Sequence, residues 1–445
     1  MPTLRDLPKV DLLAQRDELS ALPAVLRTRL IRESLEAIRQ KVRAGETAAV
    51  SIEAIVADTL RRYDQTTSAS LKPLINASGV VIHTNFGRSV LDPALYDELK
   101  PLMTSYTNLE YDLDGGVRGE RYSHLEKLTS RLLGFESSIV VNNNAAAVFL
   151  ALHTFARAKE AVVSRGELVE IGGSFRIPEV MRESGAILRE IGTTNKTRIA
   201  DYESAITENT AVLMKVHRSN FKISGFTSEA GYDEIAALAA KRGIIDYYDL
   251  GSGQIVSLGS KNEPLLGEIA ALSPSLVSFS GDKLFAGVQA GIICGKKSLI
   301  DKIKKNQLLR MLRVDKFTIA ALEATLLRYL TGRENSLPTI ALLRADRQTL
   351  NARATRLCEL IAPMECTIEE TQNFAGGGSL PEEDFAGVAV VFGFGGRQNG
   401  AKIAQERLRK QFVIARCESE KLYIEMRTVF DRDVERLGRA IKEAL

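Results

Sequence analysis

Between about residues 70 and 320, short apolar runs alternate with stretches of helical periodicity. The runs are Ser138-Ile139-Val140-Val141, Ala161-Val162-Val163-Ser164, Ala186-Ile187-Leu188, Ala211-Val212-Leu213-Met214 and Gly243-Ile244-Ile245. Runs this short and this rich in β-branched residues read as strands buried on both faces. Helical segments between them predict an α/β layer plan, a mostly parallel sheet covered by helices on both sides. A long helical region follows, at roughly 315–360. Residues 360–445 then mix helices with strands such as Gly387-Val388-Ala389-Val390-Val391-Phe392, a small α+β unit. The expected division is a helical unit at 1–65, a large domain at 66–320 and a C-terminal domain at 321–445.

Bulk properties narrow the class. The chain has 445 residues, 45% hydrophobic and 26% charged, which is globular usage in a length that calls for two or three domains. It contains no apolar run of 18 residues, so no membrane span is expected. The opening Met1-Pro2-Thr3-Leu4-Arg5-Asp6 has no apolar signal core, and the expectation is a cytoplasmic protein. Cys294, Cys358, Cys366 and Cys417 form no CxxC pair, and His83, His124, His153 and His217 form no HExxH pattern, so reduced thiols and no structural metal are expected.

Near the N-terminus, Leu22, Val25, Leu26, Leu30, Ile31, Leu35, Ile38 and Val42 recur at steps that line one helical face. Arg27, Arg29, Arg32, Arg39, Lys41 and Arg43 share this stretch with only Glu33 and Glu36 opposing them. Such a cationic stripe is either a solvated face or a phosphate-contacting arm. Thr66-Thr67-Ser68-Ala69-Ser70 reads as a linker.

Three segments carry chemistry. In Ser278-Phe279-Ser280-Gly281-Asp282-Lys283 a strand ends in a small-residue turn that presents one lysine, where desolvation would make the amine nucleophilic. Ser278 and Ser280 offer hydroxyls to a phosphate. Upstream, Ile244-Ile245-Asp246-Tyr247-Tyr248-Asp249 places Asp249 at the carboxyl end of a strand, before Leu250-Gly251-Ser252-Gly253, at the edge where open parallel sheets bind ligands. Taken alone, such an aspartate is also a turn former. Third, Val141-Asn142-Asn143-Asn144-Ala145-Ala146-Ala147 runs a strand into a helix start whose free N–H groups and small side chains suit an anion, with a plain Asn cap as the alternative.

The order of these segments is more telling than any one of them. A phosphate-binding helix start (Asn143, Asn144, Ala145), an aspartate that keeps a pyridine nitrogen protonated (Asp249) and a lysine some thirty residues later (Lys283) form the layout of fold-type I pyridoxal 5'-phosphate (PLP) enzymes. Phe175 lies where such enzymes often stack an aromatic ring on the cofactor.

Longer motifs extend this. Val81-Ile82-His83-Thr84-Asn85-Phe86-Gly87-Arg88, Ser164-Arg165-Gly166-Glu167-Leu168-Val169-Glu170-Ile171-Gly172-Gly173-Ser174-Phe175, Gly192-Thr193-Thr194-Asn195-Lys196-Thr197 and Val216-His217-Arg218-Ser219-Asn220-Phe221 resemble the bacterial selenocysteine synthases, the L-seryl-tRNA(Sec) selenium transferases. The resemblance implies PLP-dependent conversion of L-seryl-tRNA(Sec) to L-selenocysteinyl-tRNA(Sec) with selenophosphate, through an aminoacrylyl-tRNA intermediate. It also implies that Arg88, Arg310 and Arg313 bind the selenium donor, since guanidinium forks suit its oxygens. Asp282 takes a catalytic role, and the N-terminal unit recognises the selenocysteine tRNA. The resemblance further implies a homodecamer built from dimers, with active sites shared between the two subunits of a dimer.

The chain departs from the family pattern close to the lysine. Leu284-Phe285-Ala286-Gly287-Val288-Gln289 stands where Leu-Leu-Gly-Gly-Pro-Gln is usual, Gln307 replaces a proline, and Arg218 replaces a small hydroxyl residue. Losing glycine and proline reshapes turn backbone. Two rival readings follow from the same residues. One is a PLP lyase of the same superfamily acting on a free small amino acid or amino sugar phosphate. The other is a tRNA-binding protein that has lost catalysis, against which Lys283 and Asp249 argue.

Overall fold

The computed structural model describes residues 7–46, 51–171, 175–218, 221, 223–260, 263–396 and 398–445. The chain divides into two compact units, Met1–Pro73 and Leu74–Leu445.

The first unit is helical. Its helices Val10–Ala14, Asp17–Ser20, Ala24–Arg43 and Ile52–Thr67 enclose Leu13, Leu19, Leu22, Ile31, Leu35, Ile55 and Val56. Ser51 caps the last of these by accepting from the Ala54 amide, and Thr59 hydrogen-bonds Ser34 across the interior at 3.2 Å. Val25 does not join the apolar face expected of it. It sits in the first turn of its helix and is 88% exposed. Thr66 and Thr67 close the last helix, so the irregular segment begins at Ser68.

The second unit contains a seven-stranded sheet. Its strands, numbered in chain order, are β1 Ser137–Val141, β2 Glu160–Ser164, β3 Ile187–Ile191, β4 Thr210–Val216, β5 Ile245–Gly251, β6 Leu276–Ser280 and β7 Gly291–Gly295. They lie in the order β1-β7-β6-β5-β4-β2-β3. β7 is antiparallel to β1 and β6, and every other pairing is parallel. This is the α/β sheet that the apolar runs predict. β5 starts later than the sequence pattern indicates, because Gly243 (φ +65) is the left-handed cap of the helix Tyr232–Arg242. One core packs Ile139, Val141, Val163, Met214 and Tyr247 on one face of the sheet, and a second packs Val140, Tyr248, Val277, Phe279 and Ile292 on the other. Successive side chains of a strand alternate between these cores.

A five-stranded sheet, in the order Ile75–Ala77, Val413–Glu418, Lys421–Glu425, Ser379–Gly393 and Thr367–Gly376, packs against the helices Arg347–Ile361 and Val434–Ala444. It draws its edge strand, Ile75–Ala77, from the start of the unit.

Candidate active site

The site lies at the carboxyl edge of the large sheet, where β1, β5 and β6 all end. Asp249 is third from the end of β5, in register with Val216 of β4 and Ser278 of β6. Its carboxylate is buried and accepts from Asn144 Nδ2 at 2.7 Å, with Ser278 Oγ at 3.5 Å. Burial pushes the carboxyl up to about 6, against the stabilising bonds from Asn144 and Ser278. Ser278 is held in turn by the Tyr247 hydroxyl at 2.7 Å. The Ser278 hydroxyl therefore serves Asp249, while Ser280, two residues on, lies on the same face nearer the strand end.

Asn143 and Asn144 divide their work. Asn143 is the cap of the helix Asn144–Phe155, its Oδ1 accepting from the Ala146 amide at 2.9 Å. Asn144 instead reaches Asp249, and its own Oδ1 is buried without a hydrogen-bond partner among the described residues. The exposed donors of that first helical turn, Ala145 included, are backbone N–H groups. Gly291 of β7 lies against this turn. A Cβ there would meet Asn143 O at 2.1 Å, so only glycine permits the approach.

Lys283 occupies the tight connection between β6 and β7, closed by Gly281 N to Ala290 O at 2.8 Å and by Gly287 N to Gly281 O at 2.8 Å. It is buried. Desolvation lowers its pKa, the positive field of Arg88 lowers it further, and Asp249, Asp282 and Glu263 act the other way. Asp282, also buried, accepts from Arg88 Nη1 at 2.8 Å. The loop that delivers Arg88 is compact. His83 stacks on Phe86 with ring centroids 3.7 Å apart, Gly87 turns at φ +88, and the Arg88 amide bonds back to His83 O at 3.2 Å.

Arg313 reaches the same edge by its backbone. It bridges Val141 at the end of β1, and the Asn142 amide bonds Leu312 O at 3.0 Å. Its side chain lies 3.8 Å from Glu110, which also takes two bonds from Arg121. Arg310 sits on the short helix Leu309–Leu312 with an exposed side chain, and no contact described here joins it to Lys283 or Asp249. The side chain of Phe175 lies outside what the structure describes.

Sequence reasoning missed several residues. Glu263 is buried and pushed up to about 8 by desolvation. Ser252 Oγ donates to its Oε1, and His217 Nδ1 lies 3.8 Å from that same oxygen. Both groups face a cavity of about 580 Å³ beside the carboxyl ends of β4 and β5, whose wall does not include Lys283. Glu110 and Arg121 were missed as well. Glu263 lies in a loop without any motif, whereas His217 belongs to the Val216–Phe221 motif three residues beyond the apolar run Ala211–Met214, the one signal in the sequence.

A family model described as L-seryl-tRNA selenium transferase matches residues 74–430. A protein of Wolinella succinogenes named L-seryl-tRNA(Sec) selenium transferase is 52% identical over 440 residues, covering 99% of each chain. The chain belongs to the L-seryl-tRNA selenium transferase family. A second family member, from Nautilia profundicola, is 48% identical over 448 residues and covers 100% of this chain and 98% of its own. Among solved structures, that of D-glucosaminate-6-phosphate ammonia-lyase matches with a TM-score of 0.58 at 21% identity, covering 86% of this chain and 98% of that one, a likeness of fold. Family membership makes this chain an enzyme, a transferase of selenocysteine biosynthesis.

Proposed function

We propose that this enzyme converts L-seryl-tRNA(Sec) to L-selenocysteinyl-tRNA(Sec), taking selenium from selenophosphate and using pyridoxal 5'-phosphate held on Lys283. The observation that carries the reading is a buried lysine and a buried Asp249 that makes no ion pair among the described residues, beside an open helix N-terminus. That donor set fits a phosphorylated pyridine aldehyde. The amine takes the aldehyde, Asp249 the protonated ring nitrogen, and the first turn of Asn144–Phe155 with Asn143, Ala145 and Ser280 the phosphate. Phe175 is proposed to stack on the ring. When bound, the cofactor supplies an electron sink for charge developing at the seryl Cα.

The protein's own groups do the rest. Burial keeps Lys283 able to shed its proton, so the amine serves as the base at Cα. Asp282, held in place by Arg88, is the residue assigned to assist departure of the hydroxyl. Arg88, Arg310 and Arg313 are assigned to the selenophosphate oxygens.

The helical unit (1–65) is the proposed tRNA-recognition arm, with the cofactor domain at 66–320 and the small α+β domain at 321–445. We take the assembly to be a homodecamer built from dimers. The exposed apolar side chains of Leu102, Tyr106, Tyr111, Leu113 and Val117 support association between copies. A cytoplasmic location follows from the proposed tRNA substrate, and no helix among the described residues is long and apolar enough to cross a membrane.

The absorption spectrum of the purified protein tests this reading. A cofactor band that shifts with seryl-tRNA(Sec) and ignores free serine is expected. A band that shifts with free serine and ignores the tRNA would replace it with a small-molecule lyase.

A further inference from the structure

The chain carries four thiols, and two of them meet. Cys366 Sγ donates to Cys358 Sγ at 3.3 Å, and no covalent bond joins the two. Cys358 lies in the last turn of the helix Arg347–Ile361, and Cys366 immediately precedes the strand Thr367–Gly376. The chain reverses between them, with the Met364 amide bonding Ile361 O at 3.1 Å. The other two thiols stand apart. Cys294 is buried in β7, where desolvation pushes its thiol up, and Cys417 is exposed on the strand Val413–Glu418.

The geometry suits a bond between Cys358 and Cys366. A disulfide holds its sulfurs about 2.05 Å apart, so from 3.3 Å they must close by roughly 1.2 Å. Both side chains are half-buried, packed on one side against the core of the five-stranded sheet and open to water on the other. The sulfurs are therefore free to move by that much, and an oxidant can reach them. The fold has already closed the short loop between the two residues, so the bond costs little further chain entropy. Cys294 shows the contrast, a thiol that only packs and is shut away from water.

We propose that Cys358 and Cys366 form a reversible thiol–disulfide pair, a modification site on the small α+β domain that responds to low-molecular-weight disulfides. The step balances. The Cys366 thiolate attacks one sulfur of the small disulfide, forms a mixed disulfide and releases one thiolate. The Cys358 thiolate then attacks the Cys366 sulfur, closes the internal bond and releases the second. Two protein thiols are oxidised, one small disulfide is reduced to two thiols, and the two protons pass from the protein to the released thiolates. Burial and the neighbouring Cys366 sulfur push the Cys358 thiol up to about 12, which leaves Cys366 to meet the oxidant and Cys358 to resolve it. The effect of the Cys366 thiol on Cys358 ends once Cys366 carries the mixed disulfide. In the oxidised state the end of the helix is fastened to the start of Thr367–Gly376, the edge strand of its sheet. Intracellular disulfides of this kind are characteristically transient and redox-sensing.

The test uses the full-length protein, held natively in glutathione buffers of graded ratio, then alkylated and digested. No lysine or arginine lies between Cys358 and Cys366, so trypsin keeps both in one peptide that contains no other cysteine, and its mass reads the bond directly. In the oxidised buffer this peptide is expected to lose two hydrogens, and its alkylation to fall roughly 10-fold or more. Reduced glutathione is expected to restore both thiols. Cys417, without a partner, is expected to hold a single glutathione, and Cys294 to react only after unfolding. In Cys358→Ser, Cys366 is expected to keep its glutathione with no internal bond. Cys366→Ser, which likewise closes no bond, covers the case of a Cys358 variant that does not fold. A wild-type peptide still fully alkylated in the oxidised buffer, or carrying a glutathione on each cysteine, overturns the proposal. So does a bond that forms only in denaturant, or one that reduced glutathione does not open.

Discussion

Arg88 Nη1 donates to Asp282 Oδ2 at 2.8 Å, and this ion pair stands one residue before the reactive lysine. Arg88 is one-third exposed while Asp282 is buried, so the guanidinium reaches in from the rim to a carboxylate that water cannot serve. One fork of Arg88 thus fixes Asp282, and the other N–H groups of its five remain for an incoming anion. Arg88 also lowers the pKa of Lys283. Donor binding, orientation of Asp282 and protonation of the lysine all depend on this one side chain.

Arg88→Ala is accordingly expected to act in three ways. The KM for selenophosphate rises. kcat falls as well, because truncating one member of a buried pair leaves the other unpaired, for a combined loss of roughly 10²-fold or more. The pH midpoint for loading pyridoxal 5'-phosphate onto Lys283 in the apoprotein moves upward, because Arg88 lowers the lysine's pKa. Arg88→Lys keeps the charge but not the fork, and should rescue the midpoint more than it rescues kcat. Steady-state kinetics with varied donor, together with cofactor reloading against pH, check all three.

Asp249 gives a pH prediction. Its carboxyl is raised from 3.8 to about 6 in the folded protein, so the unfolded chain releases that proton first. The stabilisation from the protonated acid is complete below pH 3.8 and is lost as pH rises through about 6. Apoprotein should lose melting temperature over this window more steeply than Asp249→Asn does. A pyridinium partner favours the ionised form, so the gap between holoprotein and apoprotein should widen across the same window. Asn144→Ala removes a bond that lowers this pKa and should push the transition higher. Thermal melts at stepped pH, with and without cofactor, decide it. Activity of Asp249→Asn is expected to fall by roughly 10²-fold or more, the scale of losing a preorganised electrostatic partner.

What could be read from the chain follows from how locally each feature is encoded. The sheet was legible because its buried strands are unbroken apolar runs, and Lys283 and Asp249 because each lies a few residues beyond the start of such a strand, near its carboxyl end. Asn143 and Asn144 were grouped as one anion-binding turn, since adjacent asparagines look alike in sequence. Only the fold turns one onto its own helix and the other across to a strand 105 residues away. Glu263 and Glu110 belong to loops, where burial is decided by partners distant in the chain and no periodicity marks it. Val25 fits the apolar stripe by spacing and is exposed because a first-turn position faces past the core.

The departure at Ala286 has a physical account. The residue stands at φ +62, where family members usually carry glycine, and a left-handed alanine costs about 1–2 kcal/mol. Its methyl is buried among Tyr329, Leu337 and Ile340, worth about 0.8 kcal/mol, and alanine spares about 0.4–1 kcal/mol of chain entropy relative to glycine. These terms nearly cancel, so Ala286→Gly is expected to change stability by less than about 0.5 kcal/mol. Ala286→Val adds a β-branch in the left-handed region and overfills the site, and is expected to cost about 2–3 kcal/mol. Chemical denaturation of the two variants tests this, with Ala286→Val also slowing cofactor reloading through the distorted Lys283 turn.

The cationic stripe of the first unit makes a quantitative prediction about the proposed tRNA. Arg27, Arg29 and Arg39 are engaged within the unit, Arg27 with Ser20 O, Arg29 with Glu33 and Arg39 with Glu36. Arg32, Lys41 and Arg43 are exposed on the same helix, and the ionic contacts described for this unit do not involve them. They are the side chains free to displace counterions from a phosphate backbone. Replacing all three with alanine should flatten the plot of log affinity for seryl-tRNA(Sec) against log salt by about 2–3 units, at roughly 0.7–0.9 per contact. Cofactor reloading should stay at wild-type rate, since the substitutions lie in the other unit. Replacing Arg29 and Arg39 should change the slope far less, because each already has a carboxylate partner. Equal slopes for the two sets would reassign the stripe to a solvated helix face, and tRNA recognition would have to be sought on the second unit.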